Sequence, residues 1–507
     1  MRLPVALAAL AGATATALPA AGSPWAEGFQ LGVAAGEIGS SSAILWTQAP
    51  KAGTVTLEVT PRRGAALPVL AARAIAARDL TVRVVVRGLR PATAYTYAFS
   101  QDGVTSTVGT FTTAPTASAS VPVRFAYSGD ADATPGSSGK PGFNRFEVYA
   151  RMAAERNDFN INLGDTIYSD SEVGGAPVAR TVPEKWAKYR LGLALPALRL
   201  LRRSAGLYSH WDDHEFVNDF SRGENGATIY AAGVRAFSDY APVAKASPKT
   251  GLYRSFRWGK HLELFFLDER SFRSPKADDV CAGDLAPTAP QAVRDGFATL
   301  APGLKNPVSA ACLAALDDPA RTMLGAAQYA AFTKAIKAST ATWKVVVNEV
   351  PIQQYYALPY DRWEGYAAER ERLLRFLQVN VRNVVFLTTD THANLVNEVR
   401  YTTLGGTPQS SGMWEVVTGP VATNTFAKEI DNYLGSKGAG TAIGALFFKP
   451  PPPGGLGMRC AALDTYSYAE VSVTASRLTV APKDARGRPV REATGAACAP
   501  LVLTARR

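Results

Sequence analysis

Long hydrophobic runs are almost absent from this chain of 507 residues. The one that exists is residues 3–21, LPVALAALAGATATALPAA, which follows Arg2 and ends in small residues. A charged start, an apolar stretch and a small-residue exit near residues 20–23 form the pattern of a signal peptide, so residues 1–22 are expected to be cleaved. Retention as an anchor is the alternative, and the Ala, Thr, Gly and Pro that dilute the stretch argue against it. No later run reaches 18 apolar residues, so no membrane span is expected after cleavage. Cysteine is scarce too, with only Cys281, Cys312, Cys460 and Cys498. None stands in a C-x-x-C pair, which argues against a cysteine zinc site. An even count in an exported chain points to two disulfides. Three connectivities are open; Cys281–Cys312 and Cys460–Cys498 are expected because each closes one local loop.

Charge is modest: 19% of residues are charged, 54 basic against 43 acidic, for a net +11. Hydrophobic residues make up 47%, a globular composition rather than a disordered one. No block of five basic residues occurs, so the surplus suits anionic ligands without implying nucleic-acid binding. Several catalytic signatures are missing. No G-x-S-x-G supports a nucleophile elbow. His214-Glu215-Phe216-Val217-Asn218 ends in Asn where a zincin helix needs a second His. Gly136-Ser137-Ser138-Gly139-Lys140-Pro141 lacks P-loop spacing, and an EF-hand loop starting at Asp130 is broken by Pro135 and Pro141. No internal repeat is visible.

What is present divides the chain in two. Residues 28–115 hold short runs rich in β-branched and aromatic residues, such as AILWTQA, VTLEV and YTYAFSQ, separated by turn-formers. They predict an all-β, fibronectin type III-like domain, in which the Leu89-x-Pro91-x-Thr93-x-Tyr95 stretch places a tyrosine at a sandwich corner. TTAPTASASVP (112–122) reads as a linker. From residue 123 to 507, apolar strands such as VRFAYSGD, DFNINLGD and VRNVVFLTTDTH alternate with helices such as NRFEVYARMAAERN and ERERLLRFLQVN. This predicts an α/β domain of sheets covered by helices, with ligands bound beyond the carboxyl ends of the strands. Residues 274–320 lack periodicity and read as an insertion near the site, in the position of a lid. Residues 447–458 read as a Pro/Gly loop, and residues 468–482 as a closing hairpin.

Four segments gather the reactive side chains at those strand ends. They are Ser128-Gly129-Asp130-Ala131-Asp132, Leu163-Gly164-Asp165-Thr166-Ile167-Tyr168, Trp211-Asp212-Asp213-His214-Glu215 with Asn218 nearby, and Thr389-Asp390-Thr391-His392. Only four histidines exist, and His214 and His392 stand beside these carboxylates. The other two read as structural: His210 in the core and His261 at an exposed strand start. A lone strand-end Asp can cap the next helix. Capping does not account for four acidic segments with two imidazoles, whereas neutralisation by cations does.

The order D-x-D, G-D, D-H-E, D-x-H resembles calcineurin-like metallophosphoesterases. The wording of Gly164-Asp165-Thr166-Ile167-Tyr168, Trp211-Asp212-Asp213-His214-Glu215, Leu267-Asp268-Glu269-Arg270, Leu324-Gly325 with Gln328, Asp361-Arg362-Trp363-Glu364-Gly365-Tyr366 and Asp390-Thr391-His392 resembles the PhoD-like alkaline phosphatase/phosphodiesterase family. The resemblance implies a metallophosphoesterase-like α/β sandwich behind an N-terminal β-domain, and a centre of two metal ions. Asp130, Asp132 and His392 would meet the first metal and Asp165 would bridge. Asp213 and Asp390 would meet the second. Tyr168 would be a phenolate ligand or a packed aromatic, and Asn218 a ligand or a substrate contact. His214 would protonate the leaving oxygen or bind phosphate, oriented by Glu215. Arg270 would neutralise a phosphoryl oxygen or pair with Asp268.

Better-known members carry a cysteine ligand for iron after the first strand. Here Ser128–Asp132 offers none, so Ca, Fe, Zn and Mn all stay open. Such members are often exported with a twin-arginine signal, whereas the single Arg2 favours a Sec route to a secreted or periplasmic location. The implied activity is hydrolysis of phosphate esters, monoester or diester, by a metal-bound hydroxide in a monomer. Two alternatives stay open: a phosphodiesterase for phospholipid or teichoic-type polymers, and a non-catalytic extracellular binding module.

Overall fold

Alternating burial builds the first strands. In Gly53–Pro61 the side chains of Val55, Leu57 and Val59 turn inward while Glu58 faces water, and in Ala94–Gln101 the inward set is Tyr95, Tyr97 and Phe99. These two strands pair antiparallel in a sheet with Leu70–Ala74, Val104–Thr105 and Gly109–Thr112. A second antiparallel sheet, Val33–Gly36, Ser42–Gln48 and Thr81–Arg87, packs on it. The corner tyrosine is in place: the Tyr95 hydroxyl accepts a hydrogen bond from the Arg90 backbone N–H at 2.8 Å. The computed structural model describes residues 28–298, 301–404, 407–452 and 455–506. The expected signal peptide, residues 1–22, lies outside them.

The rest of the chain builds two mixed sheets. In one, Gly206–His210, Phe159–Leu163 and Val123–Ser128 run parallel, and Ser467–Val473, Arg477–Asp484 and Leu501–Thr504 extend the sheet antiparallel. In the other, Leu262–Phe266, Trp343–Val347, Val384–Thr388 and Gln409–Val417 run parallel. They are flanked by Arg254–Trp258 on one edge and by Asn394–Tyr401 and Cys460–Ala462 on the other. The inner faces share one core that includes Phe125, Phe159, Tyr208, Trp258, Phe266, Val345, Leu387 and Val471. The Tyr127 hydroxyl crosses that core to donate to the Val416 carbonyl at 2.7 Å. Helices cover the outer faces. Glu147–Ala154, Val182–Ala194 and Pro196–Ser204 lie on the first sheet, and Gly325–Ala338 and Ala367–Asn380 on the second.

Local readings fared unevenly. Both expected disulfides are formed, Cys281–Cys312 and Cys460–Cys498. The closing hairpin is Ser467–Val473 with Arg477–Asp484. The 274–320 segment is more regular than expected: it contains the helices Gln291–Phe297 and Ala310–Leu316 and the 3-10 turn Pro302–Lys305. These elements are short, so an amphipathic period has no room to show. The start of the supposed Pro/Gly loop is also helical, because Phe447 and Phe448 close the π-helical turn Gly444–Phe448. His261 is not exposed. It is buried between the linker and the second sheet, bonded to the hydroxyls of Ser120 at 2.8 Å and Thr342 at 2.9 Å. Among the described residues no helix is long and apolar enough to cross a membrane.

Candidate metal centre

The carboxyl ends of the parallel strands in both sheets converge on one cleft. Val123–Ser128 leads to Asp130, Phe159–Leu163 to Asp165, Gly206–His210 to Asp212 and Asp213, and Val384–Thr388 to Asp390 and His392. The backbone turns sharply at four of these residues: φ is +63° at Asp130, +47° at Asp165, +64° at Asp390 and +53° at His392. Such left-handed positions cost a non-glycine residue of order 1–3 kcal/mol and concentrate at functional sites. Asp and His tolerate them better than most residues. The close approach also requires glycine beside them. A Cβ on Gly164, where φ is +80°, would stand 2.5 Å from the Asp212 Cβ.

Two groups of three side chains meet here, each with potential ligand atoms within 4.8 Å of one another: Asp130, Asp165 and His392, and Asp165, Asp213 and His214. Asp165 belongs to both. A third such group, Asp212, Asp213 and Asp390, adjoins them. The Asp165 Oδ1 accepts from the His214 backbone N–H at 3.0 Å, and Asp130 Oδ1 accepts from the Asp390 N–H at 3.3 Å. Asp130 Oδ2 and Asp212 Oδ2 are buried without a hydrogen-bond partner.

Burial among like charges sets the electrostatics. It pushes Asp130 up to about 7 against the pull of His392. Asp165 and Asp390 are pushed well above the usual carboxylate range, by burial first and then by neighbouring carboxylates. A buried carboxylate cluster with orphaned oxygens is a site that cations would neutralise, so the residues present fit metal cations.

The histidines are held by carboxylates from outside the cluster. His214 Nδ1 lies 2.6 Å from Asp170 Oδ1, and its ring stacks on Tyr168 with centroids 4.0 Å apart. Burial opposes the charge on His214, but Asp213 and Asp170 outweigh it and raise the imidazole to about 9. His392 Nδ1 lies 2.5 Å from Glu429 Oε1, and its Nε2 is 3.1 Å from the Tyr168 hydroxyl and 4.0 Å from Asp130 Oδ1. His392 is likewise raised to about 9, with burial opposed chiefly by Glu429. In both rings the outer carboxylate occupies Nδ1 and leaves Nε2 toward the cluster.

Other expected residues take different places. Asp132 stays outside the cluster: its Oδ1 accepts from the Thr134 N–H at 2.8 Å and its Oδ2 from the Ser171 hydroxyl. Glu215 does not touch the His214 ring. It accepts from the backbone N–H groups of Asp165, Thr166 and Asp212 at 2.8 to 3.0 Å, pinning two of the turns together. Arg270 does not bond the Asp268 carboxylate through its guanidinium. That group is fully buried and reaches Asp212, both oxygens of Asp361 at 2.8 and 2.9 Å, Asp390 at 3.1 Å and Asp213 at 3.6 Å. Burial works against the Asp361 carboxylate, yet Arg270 and Arg273 hold it well below its usual range. Asn218 is exposed at the lip of the cleft and gives its backbone N–H to Asp170 Oδ2 at 2.6 Å. His210 is buried against the Leu267 carbonyl, 2.6 Å from its Nε2, and burial drives it well below its ordinary pKa. The sequence reading missed Asp170 and Glu429. Asp170 stands two residues after Tyr168, just beyond its acidic segment; Glu429 carries no local signal.

Known proteins are similar to this chain in sequence and fold. A family model described as PhoD-like phosphatase matches residues 135–446, and one described as PhoD-like phosphatase, N-terminal domain, matches residues 13–115. Alkaline phosphatase D of Bacillus subtilis (strain 168) is 27% identical over 424 residues, which is 72% of this chain and 64% of that protein. The chain thus spans under two thirds of that relative's length. Among solved structures, one titled "Structure of PhoD" superposes with a TM-score of 0.70 at 21% identity over 95% of this chain and 90% of the other. A purple acid phosphatase from yellow lupin seeds gives 0.57 at 11% identity over 93% of this chain and 73% of the other. At these identities the superpositions establish the shared metallophosphoesterase-like fold.

Proposed function

The chain belongs to the PhoD-like phosphatase family, and on that premise we propose that it is an exported, metal-dependent hydrolase of phosphate monoesters and diesters. The carrying observation is that Asp165 belongs to two adjoining groups of potential ligands drawn from both sheets. Asp130 and His392 would hold one cation with Asp165, and Asp213 and Asp390 the other, with Tyr168 beside the first. Ca, Fe, Zn and Mn all suit this mixture of carboxylate and imidazole. When bound, such a pair supplies Lewis-acid polarisation of phosphoryl oxygens and lowers the pKa of coordinated water.

The chain's own groups do the rest. Asp170 fixes the His214 ring by engaging its Nδ1. With Nδ1 so engaged, Nε2 is the atom that would give a proton to the leaving oxygen or a hydrogen bond to a phosphoryl oxygen. Arg270 holds Asp212, Asp213, Asp361 and Asp390 in a fixed array, a positioning role in place of direct phosphate contact. Asn218 at the lip is placed to meet substrate. Residues 28–115 form a β-domain beside the catalytic part, residues 123–507, and two disulfides suit an oxidising compartment.

Metal analysis of the purified chain, paired with hydrolysis of an aryl phosphate monoester and diester before and after chelation, tests this reading. Near two metals per chain and loss of hydrolysis on chelation are expected, together with loss of both in Asp165→Asn. No metal and no hydrolysis after addition of Ca, Mn, Zn or Fe would leave an extracellular binding module instead.

A further inference from the structure

The cleft does not end at the carboxylates. It is one cavity of about 690 Å³, a size that holds one drug-sized ligand. Asp165, Asp213, His214, Asp390 and His392 line one end. The remaining wall is mainly apolar and comes from segments far apart in the chain. Leu285, Val293 and Phe297 come from the insertion that the Cys281–Cys312 disulfide ties down, Tyr356 from the loop after Trp343–Val347, and Phe447 and Phe448 from the π-helical turn. These side chains pack on one another before any ligand arrives. Phe297 meets Phe447 edge-on at 5.5 Å, and Tyr356 meets Phe447 at 6.2 Å. At the rim, Leu358 and Tyr433 are 45% and 67% exposed.

A phosphoryl group needs no such wall. The hydroxyls of a sugar or polyol phosphate would lose their water against it without gaining partners. Apolar surface lining a cavity is stabilised by an apolar occupant. We propose that the substrate is a phosphoester of a hydrophobic alcohol, whose single apolar group fills this chamber while its phosphoryl group lies at the carboxylate end. This rests on the phosphoesterase reading and narrows it. In the reaction, water adds to phosphorus, the bond from phosphorus to the alcohol oxygen breaks, and a proton ends on that oxygen, releasing the apolar alcohol.

The test uses the metal-loaded full chain and straight-chain alkyl phosphates from methyl to octyl, each kept below its micelle-forming concentration. kcat/KM is expected to rise roughly fourfold per methylene over the first several carbons, the value of burying one CH2. Phe447→Ser and Leu285→Asn should each flatten that rise while leaving methyl phosphate turnover and inhibition by inorganic phosphate unchanged. A flat series in an enzyme that hydrolyses methyl phosphate would overturn the inference and leave the phosphoesterase reading standing. A rise that survives in both variants, or one confined to micellar substrate, would also overturn it. Failure to hydrolyse any member of the series while the aryl phosphate monoester or diester is turned over would overturn the inference, and failure on all of them would sink the phosphoesterase reading itself.

Discussion

Asp170 Oδ1 and His214 Nδ1 lie 2.6 Å apart, so the imidazole of the D-H-E segment is aimed by a carboxylate from the loop that follows Tyr168. The neighbour in sequence, Glu215, is occupied with backbone donors. In Asp170→Asn the ring loses its charged partner and keeps its stack on Tyr168. kcat should fall ~10- to 100-fold with metal content unchanged. Rates and metal stoichiometry measured side by side check this; unchanged kcat would remove Asp170 from the machinery.

Arg270 is a buried cation shared by Asp212, Asp361 and Asp390. Replacing it with Met leaves those carboxylates facing one another. Chelated Arg270→Met should be less stable than chelated wild type by about 3–5 kcal/mol in urea unfolding. Lys should rescue little, because an ammonium cannot reproduce the fork that meets both Asp361 oxygens. Equal stability of the Lys variant and wild type would contradict the fork geometry.

Glu155 gives the pH dependence. Burial disfavours its charge, but the Tyr468 hydroxyl, Arg151 and Lys483 outweigh burial and bring it down to about 2. A carboxyl lowered in the folded state contributes stability above its unfolded pKa, roughly 4.3. That contribution is lost as pH falls through about 2. Glu155→Gln should therefore cost about 1–2 kcal/mol at pH 7, discounted for partial solvent access. The gap to wild type should narrow as pH drops below about 4. A gap independent of pH would show that packing, and not charge, is what the substitution removes.

The Cys281–Cys312 bridge closes a loop with a sequence separation of 31. Loop-closure entropy assigns it about 3–4 kcal/mol. Cys281→Ser with Cys312→Ser should lower the unfolding midpoint accordingly and loosen the wall around Phe297. Limited proteolysis should then cut first between residues 281 and 312. Resistance equal to wild type would show that the helices hold the segment without the bridge.

The acidic strand ends were legible because each is an apolar run that stops at a carboxylate, as at Asp130, Asp165 and Asp390. Choices between neighbours were not legible. Asp130 and Asp132 look alike in sequence, yet Asp130 lies with Asp165 and His392 while Asp132 bonds Thr134 and Ser171. Arg270 has Asp268 two residues away, yet its guanidinium extends to strand ends from elsewhere in the chain. Glu429 belongs to a helix whose sequence carries no mark of the His392 it holds. The pairing of Ser467–Val473 with Val123–Ser128 is equally invisible, because it joins the ends of the catalytic part across the whole intervening chain. His261 reads as surface because Lys260 precedes it; the linker that covers it becomes apparent only in three dimensions.

The cleft draws Asp130, Asp165 and Asp213 from the first sheet and Asp390 and His392 from the second. A chain emerging from the ribosome therefore carries no finished centre until His392 has been synthesised and the two sheets have closed on each other. Any cation it retains must be captured at that late moment. The metal found in the protein should report the conditions under which folding finishes.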